Sequence, residues 1–223
     1  MPKRFEANIG YKFTNKKLLI EALTHSSYAN EHKKDKVKDN ERLEFLGDSV
    51  LDLVVSEFLY KKHNNLSEGD LSKLRASIVC EAFLLKASKQ INLGDFILLG
   101  KGEEMTGGRE RASILADAFE AVIGAVYIDG GLESAKDFIN NFIISFMESL
   151  SGTIIEDYKT HLQEIIQKDS KKPLTYRVIN EEGPDHNKHF EVEVRHDGKV
   201  LGVGSGRTKK EAEQKAAFAA LDK

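Results

Sequence analysis

Near residue 150 the apolar periodicity of this chain changes, and the change marks a boundary between two differently built segments. Before that point apolar residues recur every three or four positions, as on helices. After it come short stretches that alternate apolar and polar, such as Phe190 to Val194 (FEVEV), followed by one last helical run. A period of two demands a half-buried strand, and a period near 3.6 demands a helix. The chain therefore reads as a mainly α segment, residues 1–150, followed by a small α+β segment, residues 154–223. Ser151-Gly-Thr153 forms the linker between them.

Bulk properties narrow the function classes. At 223 residues, one or two domains are expected. Charged residues make up 31% of the chain, yet the net charge is only −3. Bulk charge thus gives no support to a nucleic-acid partner, which would have to be met by a local basic patch or through metal ions. The single cysteine, Cys80, excludes a disulfide framework and a cysteine-rich zinc site. It fits a reducing cytosol. No secretory signal follows Met1, and no stretch approaches the roughly 20 apolar residues of a membrane span, so no membrane partner is expected.

Within the first segment, Leu18, Leu19 and Leu23 suggest an early helix, and residues 31–40 form a polar loop. Asn40 is the expected N-cap of a helix opening at Glu41, on which Leu43, Leu46, Val50, Leu53 and Val54 gather opposite an acidic face. Ser67 to Asp70 caps the next helix. Gly100 to Gly108 reads as a loop. A helix from Ala112 to Ile128, rich in small residues, is expected to stop at Asp129-Gly-Gly131.

The acidic face is the chemical signal. Glu41, Glu44 and Asp48 stand at i, i+3 and i+7, so they project from one side of a helix. Asp117 and Glu120 stand at i and i+3 on another. Like charges gathered this way repel unless a cation occupies them, and oxygen ligands suit hard divalent ions such as Mg2+. Taken alone, such a spacing usually marks a solvated helix face. The second cluster, set among apolar residues, reverses that judgement. Asp52 prolongs the acidic face by a turn, so acidity by itself does not decide which groups bind metal.

The second segment reads as helix (158–168), strand (175–179), strand (190–194), a turn at His196-Asp-Gly198, strand (200–203) and helix (212–221). Thr208 to Glu211 forms a capping box. It holds 13 Lys and Arg against 13 Asp and Glu from Ile154 to Lys223, so its positive charge is local: Arg207, Lys209, Lys210 and Lys215 at a helix start, after the Gly-rich run 202–206. Such a corner suits phosphate. Lysines that merely keep a helix soluble are the plain alternative. The order α-β-β-β-α, ending in the run TKKEAEQKAA (208–217), resembles the double-stranded RNA-binding domain. That resemblance implies that Gln163 and Glu164 meet one minor groove, that His186 meets the next, and that Lys209, Lys210 and Lys215 meet phosphates.

The run from Asn40 to Leu51 (NERLEFLGDSVL) resembles the ribonuclease III signature. Glu68 to Ala76 (EGDLSKLRA) and Leu115 to Ala121 (LADAFEA) match the family's other two blocks in order and spacing. With the RNA-binding-like tail, the resemblance spans essentially the whole chain. It implies a ribonuclease III endonuclease domain over 1–150 and a double-stranded RNA-binding domain over 154–223. It further implies a Mg2+-dependent endoribonuclease, with Mn2+ as a substitute, that leaves 5′-phosphate and 3′-hydroxyl ends with two-nucleotide 3′ overhangs.

Carried over by residue, the resemblance makes Glu44, Asp48, Asp117 and Glu120 the metal-binding carboxylates, Asp48 and Glu120 being the catalytic pair. Glu41 and Glu68 take accessory acidic roles near the dimer interface, and Phe45 inserts into the partner of a homodimer. A cytoplasmic protein acting on ribosomal RNA precursors and structured messenger RNA is implied too.

Three other features carry less. His25, near a helix end, is read as structural. The pair His186 and His189 lacks further ligands for zinc. Gly107-Gly108 is read as a plain loop rather than a phosphate nest. The competing functions are a non-catalytic RNA-binding platform, which has no need for a repulsive acid set, and a small-molecule phosphohydrolase, which leaves the tail unexplained.

Overall fold

A computed structural model describes residues 2–64, 66–150, 158–170, 172–184 and 188–221. The chain divides into two compact units, Met1–Met147 and Glu148–Lys223. The linker expected at 151–153 lies outside the described residues.

The first unit is helical. It comprises α1 (Pro2–Ile9), α2 (Lys16–Ala22), α3 (Ser26–Glu31), α4 (Glu41–Lys62), α5 (Glu68–Ile78), α6 (Glu81–Gln90), α7 (Lys101–Met105) and α8 (Ala112–Ile139). A π-helical turn (Asn140–Ile144) then leads into α9 (Ser145–Leu150). At its centre lies α8, whose residues from Ile114 to Val126 are buried almost without interruption. A helix apolar on every side has to be wrapped by its neighbours, and α2, α4 and α6 supply that wrapping. The helix does not stop at Asp129-Gly-Gly131. It continues to Ile139 across a break at Gly131, which alone in α8 leaves helical geometry (φ 78°, ψ −176°). Asp129 makes the break useful by accepting from Tyr11 Oη and from the backbone N–H groups of Thr14 and Asn15, tying the chain ahead of α2 to this point.

Glycines fix the crossing of α4 and α8. A Cβ built on Gly47 meets the Glu120 carbonyl oxygen at 1.8 Å, and one on Gly124 meets the Leu43 carbonyl oxygen at 2.2 Å. No side chain fits at either position, so the two backbones touch. Because Gly47 lies between Glu44 and Asp48, and Gly124 is one turn beyond Glu120, this crossing presses the two acidic segments together.

Four local expectations are corrected. Asn40 occupies the N-cap position of α4 without capping it: the side chain turns back to donate to the Ala22 carbonyl at 3.4 Å. Leu53 does not join Leu43, Val50 and Val54 inside. It is 55% exposed, sharing the outer surface of α4 with Phe45 and Tyr60. Residues 101–105 form the short helix α7 within the expected loop, and the helix expected to end near Ile128 runs on to Ile139. Ser67 does cap α5, accepting from Asp70 N–H at 3.2 Å.

The second unit is α10 (Tyr158–Asp169), β1 (Thr175–Glu182), β2 (His189–His196), β3 (Lys199–Gly206) and α11 (Lys209–Leu221), with an antiparallel sheet ordered β1-β2-β3. Asp197 and Gly198 both have positive φ, as a two-residue hairpin turn requires. Phe190, Val192 and Val194 alternate inward onto Leu162, Ala212, Ala216 and Ala217. The glycines of β3 serve this packing. A Cβ on Gly204 meets Ala216 N at 2.1 Å, and one on Gly202 meets Ala216 O at 2.3 Å. That close helix–sheet approach, rather than phosphate binding, accounts for the Gly-rich run.

Candidate metal centre and nucleic-acid surface

One carboxylate oxygen from each of Glu44, Asp117 and Glu120 lies within 4.8 Å of the others. Glu44 comes from the first turn of α4; Asp117 and Glu120 come from consecutive turns of α8. Three anionic groups half-buried together oppose one another's ionisation. Glu120 responds most: burial first, then Asp48, Glu44, Asp117 and Asp52, push its carboxyl up to about 8. Glu44 is raised by burial and then by Asp117, Glu41 and Asp48. Asp117 is raised by burial and by Glu81 at the start of α6, and is lowered by His25.

Asp48 stands outside the tight trio, one turn along α4, yet it is the largest charge acting on Glu120. Burial and Asp52 raise its own pKa, and Arg75 lowers it. The four carboxylates singled out in the sequence thus form one electrostatic unit, three of them within ligand distance of a common point. Hard oxygen donors with no ion-pair partner among the described residues match what a divalent cation of the Mg2+ or Mn2+ kind requires. Glu41 is exposed at the rim and acts on Glu44. Glu68 is exposed at the start of α5, where it accepts from Ser72 Oγ at 2.9 Å. Phe45, at 77% exposure, points away from its own core.

Sequence reasoning missed Arg75. From α5 it reaches α4, with its Nη1 donating to Ser56 Oγ at 3.1 Å and its Nε 3.8 Å from Asp52. Its place in the block EGDLSKLRA, beside an acidic face one turn too long, was the available signal. Glu81 was missed as well. Nothing local marks it, because only the packing of α6 on α8 brings it towards Asp117.

In the second unit Gln163 and Glu164 are exposed on α10. Lys209, Lys210 and Lys215 are exposed on α11, and Thr208 Oγ1 accepts from Glu211 N–H at 3.1 Å. Glu211 returns to Arg207 N–H rather than to Thr208. Lys215 pairs with Glu211 at 2.8 Å, and Lys209 lies 3.8 Å from Glu181 and over the Phe190 ring. These exposed pairs are weak and exchangeable for phosphate. His186 falls outside the described residues. Among the described residues no helix is long and apolar enough to cross a membrane.

Comparison with known proteins agrees with both units. The Ribonuclease-III-like family model matches residues 15–147, and the double-stranded RNA binding motif matches residues 158–223. Ribonuclease 3 of Bacillus licheniformis is 52% identical over 221 residues, 99% of this chain and 89% of that protein. Ribonuclease 3 of Bacillus velezensis shows the same identity and coverage. Among solved structures, the nuclease domain of ribonuclease III from Campylobacter jejuni covers 65% of this chain and 97% of its own, at 48% identity and a TM-score of 0.61. From Asn40 to the last helix, the acidic blocks and the RNA-binding tail have one explanation: this chain belongs to the ribonuclease III family.

Proposed function

We propose that this protein is an endoribonuclease that hydrolyses double-stranded RNA with the help of a divalent cation, Mg2+ in the cell and Mn2+ as a replacement. The observation that carries the reading is the convergence of Glu44, Asp117 and Glu120 in a chain that also holds a double-stranded RNA binding motif. In this reading residues 1–150 are the nuclease domain and 154–223 the RNA-binding domain.

Glu44, Asp48, Asp117 and Glu120 are the residues that would hold the cation, with Asp48 and Glu120 closest to the chemistry. A divalent ion bound there would offset the phosphodiester's charge and make a water a better nucleophile towards phosphorus. The chain's own part is preorganisation. The glycine crossing of α4 and α8 sets the carboxylates before substrate arrives, at the cost of the burial and mutual repulsion that raise the Glu120 pKa. Glu41 and Glu68 supply further negative charge around the cleft. Gln163, Glu164 and His186 read the minor grooves of A-form RNA, while Lys209, Lys210 and Lys215 hold phosphates.

Phe45 anchors a homodimer, in which two sites cut the two strands and leave 5′-phosphate and 3′-hydroxyl ends with short 3′ overhangs. The exposed stripe of Phe45, Leu53 and Tyr60 supports that assembly. Precursors of ribosomal RNA and structured messages in the cytoplasm are the substrates we assign. The test is an end-labelled RNA hairpin incubated with the protein. Cleavage within the duplex in Mg2+, abolished by chelator and yielding 5′-phosphate ends, is expected. An intact hairpin in Mg2+ refutes the reading.

A further inference from the structure

The acidic row on α4 does not end with the residues that converge on α8. Asp52 stands at i+4 from Asp48, about 6 Å further along the helix axis and in the same row of side chains. The residue is half-buried, and its Oδ1 is sealed from solvent and accepts no hydrogen bond among the described residues. Its ion-pair partner there is Arg75, which reaches over from α5 and brings Nε to 3.8 Å from that oxygen. Arg75 Nη1 donates to Ser56 Oγ at 3.1 Å. Ser56 is in turn i+4 from Asp52, so the guanidinium lies along the next turn of the same row. The row therefore runs Glu44, Asp48, Asp52 and then a cation, which closes it on the side away from Glu44.

A fifth carboxylate next to the cluster matters for any ion held there. Bare, Asp52 adds a unit of negative charge beside four acids and deepens the potential that draws a divalent cation. Paired, it adds almost no net charge. Glu68, the other acid bordering the pocket that Arg75 lines between α4 and α5, is already engaged by Ser72 Oγ. The opposing influences register at Asp48: after burial, Asp52 raises its carboxyl and Arg75 lowers it.

We propose that Arg75 is a positioning residue for the cation site: by pairing with Asp52 it withholds a fifth carboxylate, and so sets how strongly Glu44, Asp48, Asp117 and Glu120 hold a divalent ion. The inference rests on the cation-site reading above. Arginine suits the task because its charge does not titrate and its planar fork engages Asp52 and Ser56 at once.

The test is Mn2+ binding to the full-length protein without RNA, at low ionic strength and well below the melting temperature. Arg75→Gln bares Asp52 and is expected to tighten Mn2+ about three- to fivefold, the reach of one partly screened charge on a divalent ion. Asp52→Asn leaves Arg75 unopposed and is expected to weaken Mn2+ by a similar factor. The double variant is expected within about 1.5-fold of the wild type, because each change cancels the charge left by the other. Arg75→Lys keeps the charge and loses the fork, so its Mn2+ midpoint is expected within about 1.5-fold of the wild type whatever its melting temperature does. Added KCl is expected to shrink both single-variant shifts. An arginine that merely ties α5 to α4 gives another pattern: the Gln and Asn variants move the midpoint in the same direction or leave it alone, and the Lys variant follows the Gln variant. Either result overturns the proposal. A wild-type protein that takes up no Mn2+ instead removes the cation-site reading itself.

Discussion

At the scale of single residues, the acid cluster imposes a measurable pH dependence on the metal-free protein. The Glu120 carboxyl sits at about 8, raised by burial and then by its acidic neighbours, against roughly 4.3 for an unfolded glutamate. A folded-state pKa above the unfolded one contributes stability below the unfolded value, and that contribution is lost as pH rises through the folded value. With chelator present, the melting temperature is therefore expected to fall between about pH 4.5 and 8. Partial solvation of the site limits the effect to on the order of 1–2 kcal/mol. Glu120→Gln removes this component and flattens the curve, while saturating Mg2+ restores the wild type at the upper end. Thermal melts in chelator at several pH values check this; a melting temperature that rises over the interval contradicts it. The types and spacing of Glu44, Asp48, Asp117 and Glu120 were legible in the sequence. Their mutual distances were not, because these follow from a helix crossing between segments some 70 positions apart.

Elements translate that crossing into a site. The backbones of α4 and α8 meet at Gly47 and Gly124, where a Cβ has no room. Gly47→Ala or Gly124→Ala is expected to cost about 2–4 kcal/mol, the upper range for overpacking, and to lower cleavage by more than the remaining folded fraction explains. Denaturant melts and kcat on the same preparations check both parts. At the other end of the chain, Lys209, Lys210 and Lys215 stand on the first two turns of α11. Replacing each with alanine is expected to weaken duplex binding whatever its sequence, and to reduce the salt slope of log K by about one per lysine.

Elements with one buried face were legible, the strand around residue 190 and the helices from Glu41 and Tyr158 among them; the strand around 175 was legible too, although only Tyr176 in it is half-buried. Reading failed where tertiary packing overruled local chemistry. Asn40 gives up its capping bond for the Ala22 carbonyl, α8 runs past Gly131, and Leu53 faces out. The outward turn of Leu53 belongs to a surface with Phe45 and Tyr60, which an isolated chain offers no reason to build.

On the scale of the whole molecule, that surface and the two units have to act together. Phe45→Ala is expected to shift the protein from dimer to monomer in light scattering, since truncating a central aromatic anchor costs about 2 kcal/mol or more at each contact. A mass unchanged at micromolar concentration would assign the exposed stripe some other purpose. The near-neutral net charge, uninformative in the sequence, hides local charge of both signs: an acidic cluster in the first unit and, within a second segment that is itself neutral, a basic corner at the start of α11.

That pairing turns on the ion, and Mn2+ binding measured on wild type, Asp117→Asn and Glu120→Gln, beside cleavage of one RNA hairpin, tests it most directly. Wild type is expected to bind Mn2+ and cut. Both variants are expected to remain folded, bind duplex with little change, take up Mn2+ at least tenfold more weakly and lose cleavage by two orders of magnitude or more, roughly the loss of several kcal/mol of transition-state stabilisation. Variants that bind Mn2+ as the wild type does, or that cut at its rate, contradict a shared cation site at Glu44, Asp117 and Glu120.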